Sequence, residues 1–593
     1  MGRVTTFRTI TCVLAVCILA INLCNFYIPF YGTATLLDTH YYGDDGLLVV
    51  NHNGPHPIFE LIEQAEEAWA RKLDRASQSL GEAVAEYKRR YHRNPPLHFE
   101  KWWDYVMEHD VQLPDEYDDI YRDLEPFWGI DPLDLQKTRE ELEAKHEIVT
   151  VEKTDKSPRI EVVNHRLPPD SEERLTRIIQ NILILLEDVE HSLPPFRAVF
   201  SPHDGPNMLS DYGVKSMALA AAANGSTLKR SELPMAQRSG WLSACHPSSP
   251  ARQHPLDLDN PPERPLRKTF IYDHRLSMDP CLHPSLLHGH GEFLKYNGGP
   301  NPESTLVPCF SLCSTLLHHN IRSAGPYGWI EDILPRSDDP PWEEKIDERL
   351  VWRGSNTGIS HRVDTRWRDA HRDRLVSYVN DMAGTLDILR SPLNDSESVG
   401  GPTPLRKARV NPALFDIQFA GQPGGCLPEL CDSLLDIFDW RRPQSISQAG
   451  RYKYAFDIDG NGWSGRFKRL ITSNSLVLKT TIYPEWFMDR IAPWVHYVPV
   501  QLDLSDLHDT LIFFRGGVGG EGAHEDMAQK IATAGREWSK KFWRQEDLTA
   551  YMFRLLLEYA RVSSPDRDGM TYNEDPNGGP VHATEDSKSV MQE

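Results

Sequence analysis

The sequence predicts an α/β chain of more than one domain, on three observations. Its 593 residues exceed what one core accommodates, while 40% hydrophobic and 25% charged residues is an ordinary globular composition. Strand and helix signals alternate in two blocks, one on either side of a Pro-Pro crossing at Pro340-Pro341. The second block contains a strand, a glycine-rich turn and a helix start in direct succession, from Tyr452 to Leu478. Periodicity alone gives a multidomain α/β chain, an organisation that two Rossmann-like domains facing a cleft would satisfy. The net charge of −22, with no basic tract to offset it, argues against general nucleic-acid binding.

The turn in that second block is the chain's main chemical feature. Tyr452 to Ile458 is an aromatic, strand-like run; Asn461, Gly462, Trp463, Ser464 and Gly465 form the turn, and Arg466 follows at the head of the helix. Glycines let the backbone approach an anion, free N–H groups point at it, and a guanidinium adds a charge-assisted contact. Chemically this is a candidate nucleotide or sugar-phosphate site. The plainer reading, a buried strand, a tight turn and a surface helix, fits the spacing equally well. Asp457-x-Asp459-x-Asn461-Gly462 also opens like a calcium loop, but position twelve is Lys468 where a bidentate Glu is required. Asp457-x-Asp459 could also serve as a DxD pair holding a divalent ion.

Taken in order, residues 1–8 are expected to be cytosolic and residues 9–31 to form a transmembrane signal anchor. No charge occurs between Arg8 and Asp38, and Ile10 to Ile28 spans about 28 Å as a helix, close to the hydrocarbon thickness of a bilayer. Arg3 and Arg8 precede the run, which orients the rest of the chain to the lumen. Residues 32–165 read as a linker and helical stem: Pro57 to Arg93 is helical in pattern, with further helices over His98 to His109 and Asp115 to Leu124. Residues 166–342 read as the first Rossmann-like domain. There the apolar strand Phe196 to Phe200 runs into Ser201 to Pro206, so that Asp204 stands just past a strand end, where α/β active sites form. Locally, Asp204-Gly-Pro also reads as an ordinary turn. The histidines from His246 to His290 lack metal-ligand organisation and are expected on loops. Residues 343–545 read as the second domain, containing a strand that ends in Arg353-Gly-Ser355 and an exposed loop over Ser391 to Pro412. A last helix is expected over 546–563, and residues 564–593 form a polar, acidic tail expected to be disordered. Cys245, Cys281, Cys309, Cys313, Cys426 and Cys431 would face an oxidising lumen, where several disulfide pairings are open.

Two strings carry a family resemblance. YKYAFDIDGNGWSGRFKRL, followed by SNSLVLK and PWVHYVPV, and the upstream WRGSNTG (Trp352 to Gly358) resemble the CAP10-like glycosyltransferases, family 90, the group of protein O-glucosyltransferases and fungal capsule xylosyltransferases. The likeness runs from about Phe196 to Phe542, and EYKRRYHRNPPLHFEKWW (Glu86 to Trp103) resembles the fungal branch. The resemblance implies a GT-B pair of domains, with the acceptor on the first and the donor on the second. It implies an inverting transfer of xylose or glucose from a UDP-sugar to a hydroxyl of a glycan or glycoprotein, without metal or cofactor. Membership also implies the endoplasmic reticulum or Golgi membrane. Asp204 aligns with the family's catalytic carboxylate. Arg353, Ser355 and the turn from Asn461 to Arg466 match the donor motif. The family's second arginine falls at His361 or Arg362, one position being in doubt, and Arg362 is the better phosphate ligand. The alternatives are a metal-dependent DxD transferase, or an inactive membrane-tethered carbohydrate-binding protein whose Trp residues stack on sugars.

The uncharged N-terminal run yields a prediction on topology. In intact microsomes the body of the protein resists protease until detergent is added, and the mature N-terminus retains Met1 or Gly2. A mature chain starting near residue 35, or protease sensitivity without detergent, would contradict it.

Overall fold

The computed structural model describes residues 39–573, apart from 146, 170–171, 264–265, 327–328 and 334–338. The expected cytosolic segment and anchor, residues 1–31, lie outside the described residues. Among the described residues no helix is long and apolar enough to cross a membrane.

The architecture is mixed α/β and is built on two five-stranded sheets. Across the first run Glu161–Arg166, Ile148–Lys153, Phe196–Phe200, Cys309–Ser311 and Ile321–Arg322. Ile148–Lys153 is antiparallel to both neighbours and the remaining pairs are parallel. Across the second run Phe415–Phe419, Asp347–Gly354, Tyr452–Ile458, Leu476–Thr480 and Val498–Pro499, parallel throughout. All seven residues of Tyr452–Ile458 are buried. A parallel strand covered on both faces reads as a near-continuous apolar run, here broken only by Lys453 and Asp457, which is why it stands out in the sequence.

Residues 32–165 do more than form a stem. The helical pattern from Pro57 to Arg93 divides into Pro57–Asp74 and Leu80–Tyr91. Ser79 Oγ accepts from Glu82 N and the Glu82 carboxylate accepts from Gln78 N, a reciprocal cap that starts the second helix. Ile58, Leu61 and Ile62 of the first helix share a core with Leu350, Leu478 and Phe513 around the second sheet. Leu80–Tyr91, Phe99–Glu108 and Asp118–Trp128 pack instead with the first sheet and the C-terminal helix. Ile148–Lys153 lies inside the first sheet, so the expected boundary at 165/166 falls within that sheet. Thr403–Arg406 and Lys407–Leu414 form a strand and a helix inside the expected exposed loop, with Val410 and Leu414 anchoring the helix in the core.

The C-terminal helix, Gln545–Ser563, is buried from Asp547 to Val562 and reaches back to the first sheet and the stem. Trp102 Nε1 donates to Ala550 O at 3.0 Å, and Tyr559 OH donates to Arg197 O at 3.0 Å. Residues 564–573, expected as the start of a disordered tail, are fixed to the stem. Arg567 donates to Phe127, Trp128 and Ile130 carbonyls, which a helix end would otherwise leave unsatisfied. Of the six cysteines after the expected anchor, Cys245 pairs with Cys281 and Cys426 with Cys431, while Cys309 and Cys313 are buried thiols.

A buried charge network joins stem and sheet. Arg322, on the edge strand, meets Asp119 at 3.1 Å and Asp123 at 2.8 Å, and Arg275 donates to Asp119 at 2.6 Å. Burial alone would raise the Asp119 carboxyl, but Arg322, Arg275 and Arg122 outweigh it and hold it below the usual range. A carboxyl depressed in the folded state contributes stability that is present at neutral pH and lost as pH falls through the acid range. Arg322→Met removes the largest of the charges that offset Asp119, and the buried partner of Asp123, and is expected to cost about 3–5 kcal/mol, seen as a lower denaturant midpoint. Arg177→Met, which breaks an exposed pair with Glu173, is expected to stay within about 0.5 kcal/mol.

Candidate active site

Strand ends position the site. Asp204 follows Phe196–Phe200 of the first sheet; Ser355 follows Asp347–Gly354 and the turn at Asn461 follows Tyr452–Ile458 of the second. These ends meet. Asn461 Nδ2 donates to Asp204 Oδ2 at 3.3 Å, and Asn461 Oδ1 accepts from Gly358 N at 3.0 Å. A Cβ on Gly462 would fall 1.9 Å from Asp204 O, so the turn presses its bare backbone against the Asp204 carbonyl. The Cys313 thiol donates to the same carbonyl at 3.1 Å.

Two cavities open at this junction. One of about 900 Å³ is lined by Lys295, Tyr296, Ser355, Thr357, Arg362 and Asn461, among others. The other, of about 240 Å³, lies between Trp352, Arg353, Ser355, Pro443, Arg466 and Arg469. Ser355 borders both.

The expected donor residues divide by what they touch. Arg466 is the best placed: Nη2 donates to Ile458 O at 3.0 Å and the guanidinium lies 5.4 Å from the Trp352 ring centroid. Among the described residues nothing accepts from its buried Nε. Arg353 lines the smaller cavity, but its donors go to Trp352 O and to the carbonyl and carboxylate of Asp416. Arg362 reaches the larger cavity at the surface, paired with Asp364 at 2.5 Å. His361 is fully buried against Asp373 at 3.0 Å, so of the two open choices only Arg362 faces the cavity. Ser464 Oγ donates to Asp457 at 2.5 Å, holding the turn from inside. Trp463 packs against the core and Gly465 completes the turn without lining either cavity. The helix after Arg466, Phe467–Ile471, has five residues, too few for a substantial dipole. Lys468 turns away, with Nζ donating to Ser539 and Trp543, and burial lowers it to about 7.

Asp457 and Asp459 have structural partners. Lys479 Nζ donates to Asp457 at 2.8 Å. Asp459 Oδ2 accepts from Ile482 N at 3.0 Å and faces His290 Nε2 at 3.2 Å, and burial raises its carboxyl to about 6. Both groups are directed into the protein, an unfavourable arrangement for a DxD metal pair. Among the described residues no cluster of three or more His, Cys, Asp or Glu is placed to hold a metal ion.

Sequence reasoning missed Arg372. Its Nε donates to Asp459 O at 2.6 Å, and Nη1 donates to Ser355 O at 2.9 Å and Thr357 Oγ1 at 2.6 Å. Its guanidinium lies 5.6 Å from the Trp352 ring centroid. Burial, and then the positive charge of Arg466, push Arg372 well below the ordinary arginine value. A guanidinium does not give up its proton at such a site; the direction marks crowded positive charge that an anion would relieve. The sequence offered four arginines from Arg366 to Arg374 and no spacing to choose among them. It also missed His290, expected on a loop: its ring stacks on His371 at 3.9 Å beneath the turn. Asp211, the next carboxylate after Asp204, caps a helix by accepting from Val214 N at 3.1 Å.

Comparison with known proteins follows this geometry. The model of glycosyl transferase family 90 matches residues 412–568. Mouse protein O-glucosyltransferase 1 is 35% identical over 326 residues, 48% of this chain and 69% of the relative. The human protein of that name is 36% identical over 281 residues, 44% of this chain and 58% of the relative. An O-glucosyltransferase rumi homolog of Aedes aegypti is 26% identical over 312 residues, 50% of this chain and 71% of the relative.

The contact at Gly462 makes a prediction. Gly462→Ala overpacks the junction and is expected to lose about 1–3 kcal/mol of stability together with most of the turnover. Gly81→Ala, where nothing lies within 4 Å, is expected to change neither in the unfavourable direction. Normal turnover in Gly462→Ala would show that the contact is dispensable.

Proposed function

The chain belongs to glycosyl transferase family 90, and we propose that it transfers xylose or glucose from a UDP-sugar to a hydroxyl of a glycan or glycoprotein, with inversion. The observation that carries this reading is the meeting of Asp204 with the Asn461 to Arg466 turn across the cleft. On this reading the two sheets are a GT-B pair, the first presenting the acceptor and the second the donor. Support comes from the position of Asp204, Ser355 and Asn461, each just past the C-terminal end of a strand.

Asp204 is the general base. Its carboxylate takes the proton of the acceptor hydroxyl, the oxygen attacks C1 of the sugar, and UDP leaves from the opposite face. Arg466 and Arg372 stabilise the diphosphate as charge develops, with Ser355, Arg362 and the turn backbone completing the donor site and Arg353 shaping its wall. Two guanidinium groups do here what a divalent ion does elsewhere, and the inward-facing Asp457 and Asp459 support a metal-independent reaction. The compartment is the lumen of the endoplasmic reticulum or Golgi, with residues 9–31 as anchor; two disulfides support an oxidising environment.

The test is a donor screen on the purified protein, following UDP release with and without EDTA. Release is expected from UDP-xylose or UDP-glucose, unaffected by chelation. Asp204→Asn is expected to lower turnover at least about 100-fold while UDP affinity and melting temperature change little. A well-folded Asp204→Asn protein with near-normal turnover would remove the base, and activity that manganese restores after EDTA would remove the metal-free site.

A further inference from the structure

The side chain of Asn461 joins two elements that the reaction uses separately. Its amide oxygen accepts from Gly358 N at 3.0 Å, on the loop that follows Ser355, and its amide nitrogen faces Asp204 Oδ2 at 3.3 Å. Only one orientation of the amide satisfies both contacts. The Gly358 N–H requires the oxygen, which leaves the NH₂ for the carboxylate; the flipped amide would set oxygen against oxygen at one end and NH₂ against N–H at the other. Gly358 sits at φ +112°, and a Cβ there would approach His371 at 2.7 Å, so the donor of this N–H is itself tightly placed. The Asn461 backbone is tied as well: its carbonyl accepts from Lys295 Nζ at 3.4 Å, and its neighbour Gly462 abuts the Asp204 carbonyl.

We propose that Asn461 is a positioning residue that orients the Asp204 carboxylate through its amide and sets that orientation from the donor loop at Gly358. This rests on Asp204 being the base. Binding of the donor at Ser355 and Thr357 bears on the same loop as Gly358, and through the amide it bears on the base. One of the carboxylate's oxygens is held by the amide NH₂, and the other is left for the acceptor hydroxyl. The remaining charged and titratable groups about Asp204 are His203 on its own loop and groups from other elements. Glu292 Oε2 and Lys295 Nζ lie 3.3 and 3.4 Å from where a Cβ on Gly205 would be, and they pair with each other at 2.7 Å. His203 pairs with Glu147 at 3.0 Å, and the Cys313 thiol is engaged by the Asp204 carbonyl.

Asn461→Asp isolates the contact. The new carboxylate still accepts from Gly358 N, but it places a second negative charge against Asp204 instead of a donor. Two carboxylates at that separation resist ionising together, so one of them titrates higher. With the UDP-sugar that passes the donor screen, the acidic limb of kcat/KM for UDP release is expected to move up by at least about one pH unit. Turnover at neutral pH is expected to fall at least about tenfold, with UDP affinity within about threefold of wild type. Asn461→Ala, which keeps no charge, is expected to lower kcat at least about tenfold without moving the limb upward, and it decides the matter if the Asp variant does not fold. An unmoved acidic limb in a folded Asn461→Asp protein, or wild-type kcat in Asn461→Ala, overturns the assignment. Asp204→Asn separates the two levels. If it retains turnover, the general-base reading fails. If it is inactive while the Asn461 variants behave as wild type, only the positioning role fails.

Discussion

Gly462 approaches the Asp204 carbonyl so closely that a hydrogen fits between them and a methyl group does not. The rest of the cleft depends on that contact. It holds a strand end of the first sheet against a strand end of the second at a distance set by van der Waals radii, which no long side chain could fix as tightly. The carboxylate and the arginine-bearing turn then belong to one rigid junction rather than to two surfaces that happen to face. The two cavities meet at Ser355 because both are walls of this junction. Glycine is required at 462 for its missing side chain; its φ is not in the left-handed region, so the constraint is one of space.

Burying cations beside such a contact is costly, and the structure distributes the cost over several partners. Arg353 is neutralised by Asp416 and Lys479 by Asp457, while Arg372 donates to the carbonyls of Asp459 and Ser355. Desolvating each ion costs several kcal/mol unless its hydrogen bonds are made. Arg466 is the exception, with its Nε unmet among the described residues. The chain as a whole carries −22, so this positive interior stands against the overall sign of the protein. Local charge, not net charge, decides what such a cleft attracts.

Much of this was legible in the sequence, for identifiable reasons. Tyr452–Ile458 declared itself as an aromatic and apolar run, broken only by Lys453 and Asp457, in a parallel strand buried on both faces. Arg466 stood out at a glycine turn after a strand, whereas Asp204 and Ser355 were singled out through the family resemblance, since Asp204-Gly-Pro alone also reads as an ordinary turn. Arg372 and His290 were not, because their importance comes from contacts with residues 87 and 169 positions away, which no local pattern records. The stem was misjudged for a related reason: its helical period was correct, but Ile148–Lys153 also pairs with Phe196–Phe200, a strand beyond the expected boundary. Nothing near Lys468 in sequence announces that Ser539 and Trp543 will enclose it.

The C-terminal helix also bears on how the protein is made. Trp102 waits for Ala550, 448 residues later, and Tyr87 waits for Glu558, 471 residues later. At about 5–20 residues per second, the first of these intervals lasts roughly 20–90 s. For that time the aromatic faces of Phe99, Trp102 and Trp103 lack the cover that the last helix gives them, and the first sheet lacks the helix that closes it. The N-terminal half therefore cannot finish folding as it emerges, although it is synthesised first. It must be sheltered until the last helix arrives, so a stop codon shortly before residue 545 would leave every residue of the cleft in place and still yield a chain unable to close its core.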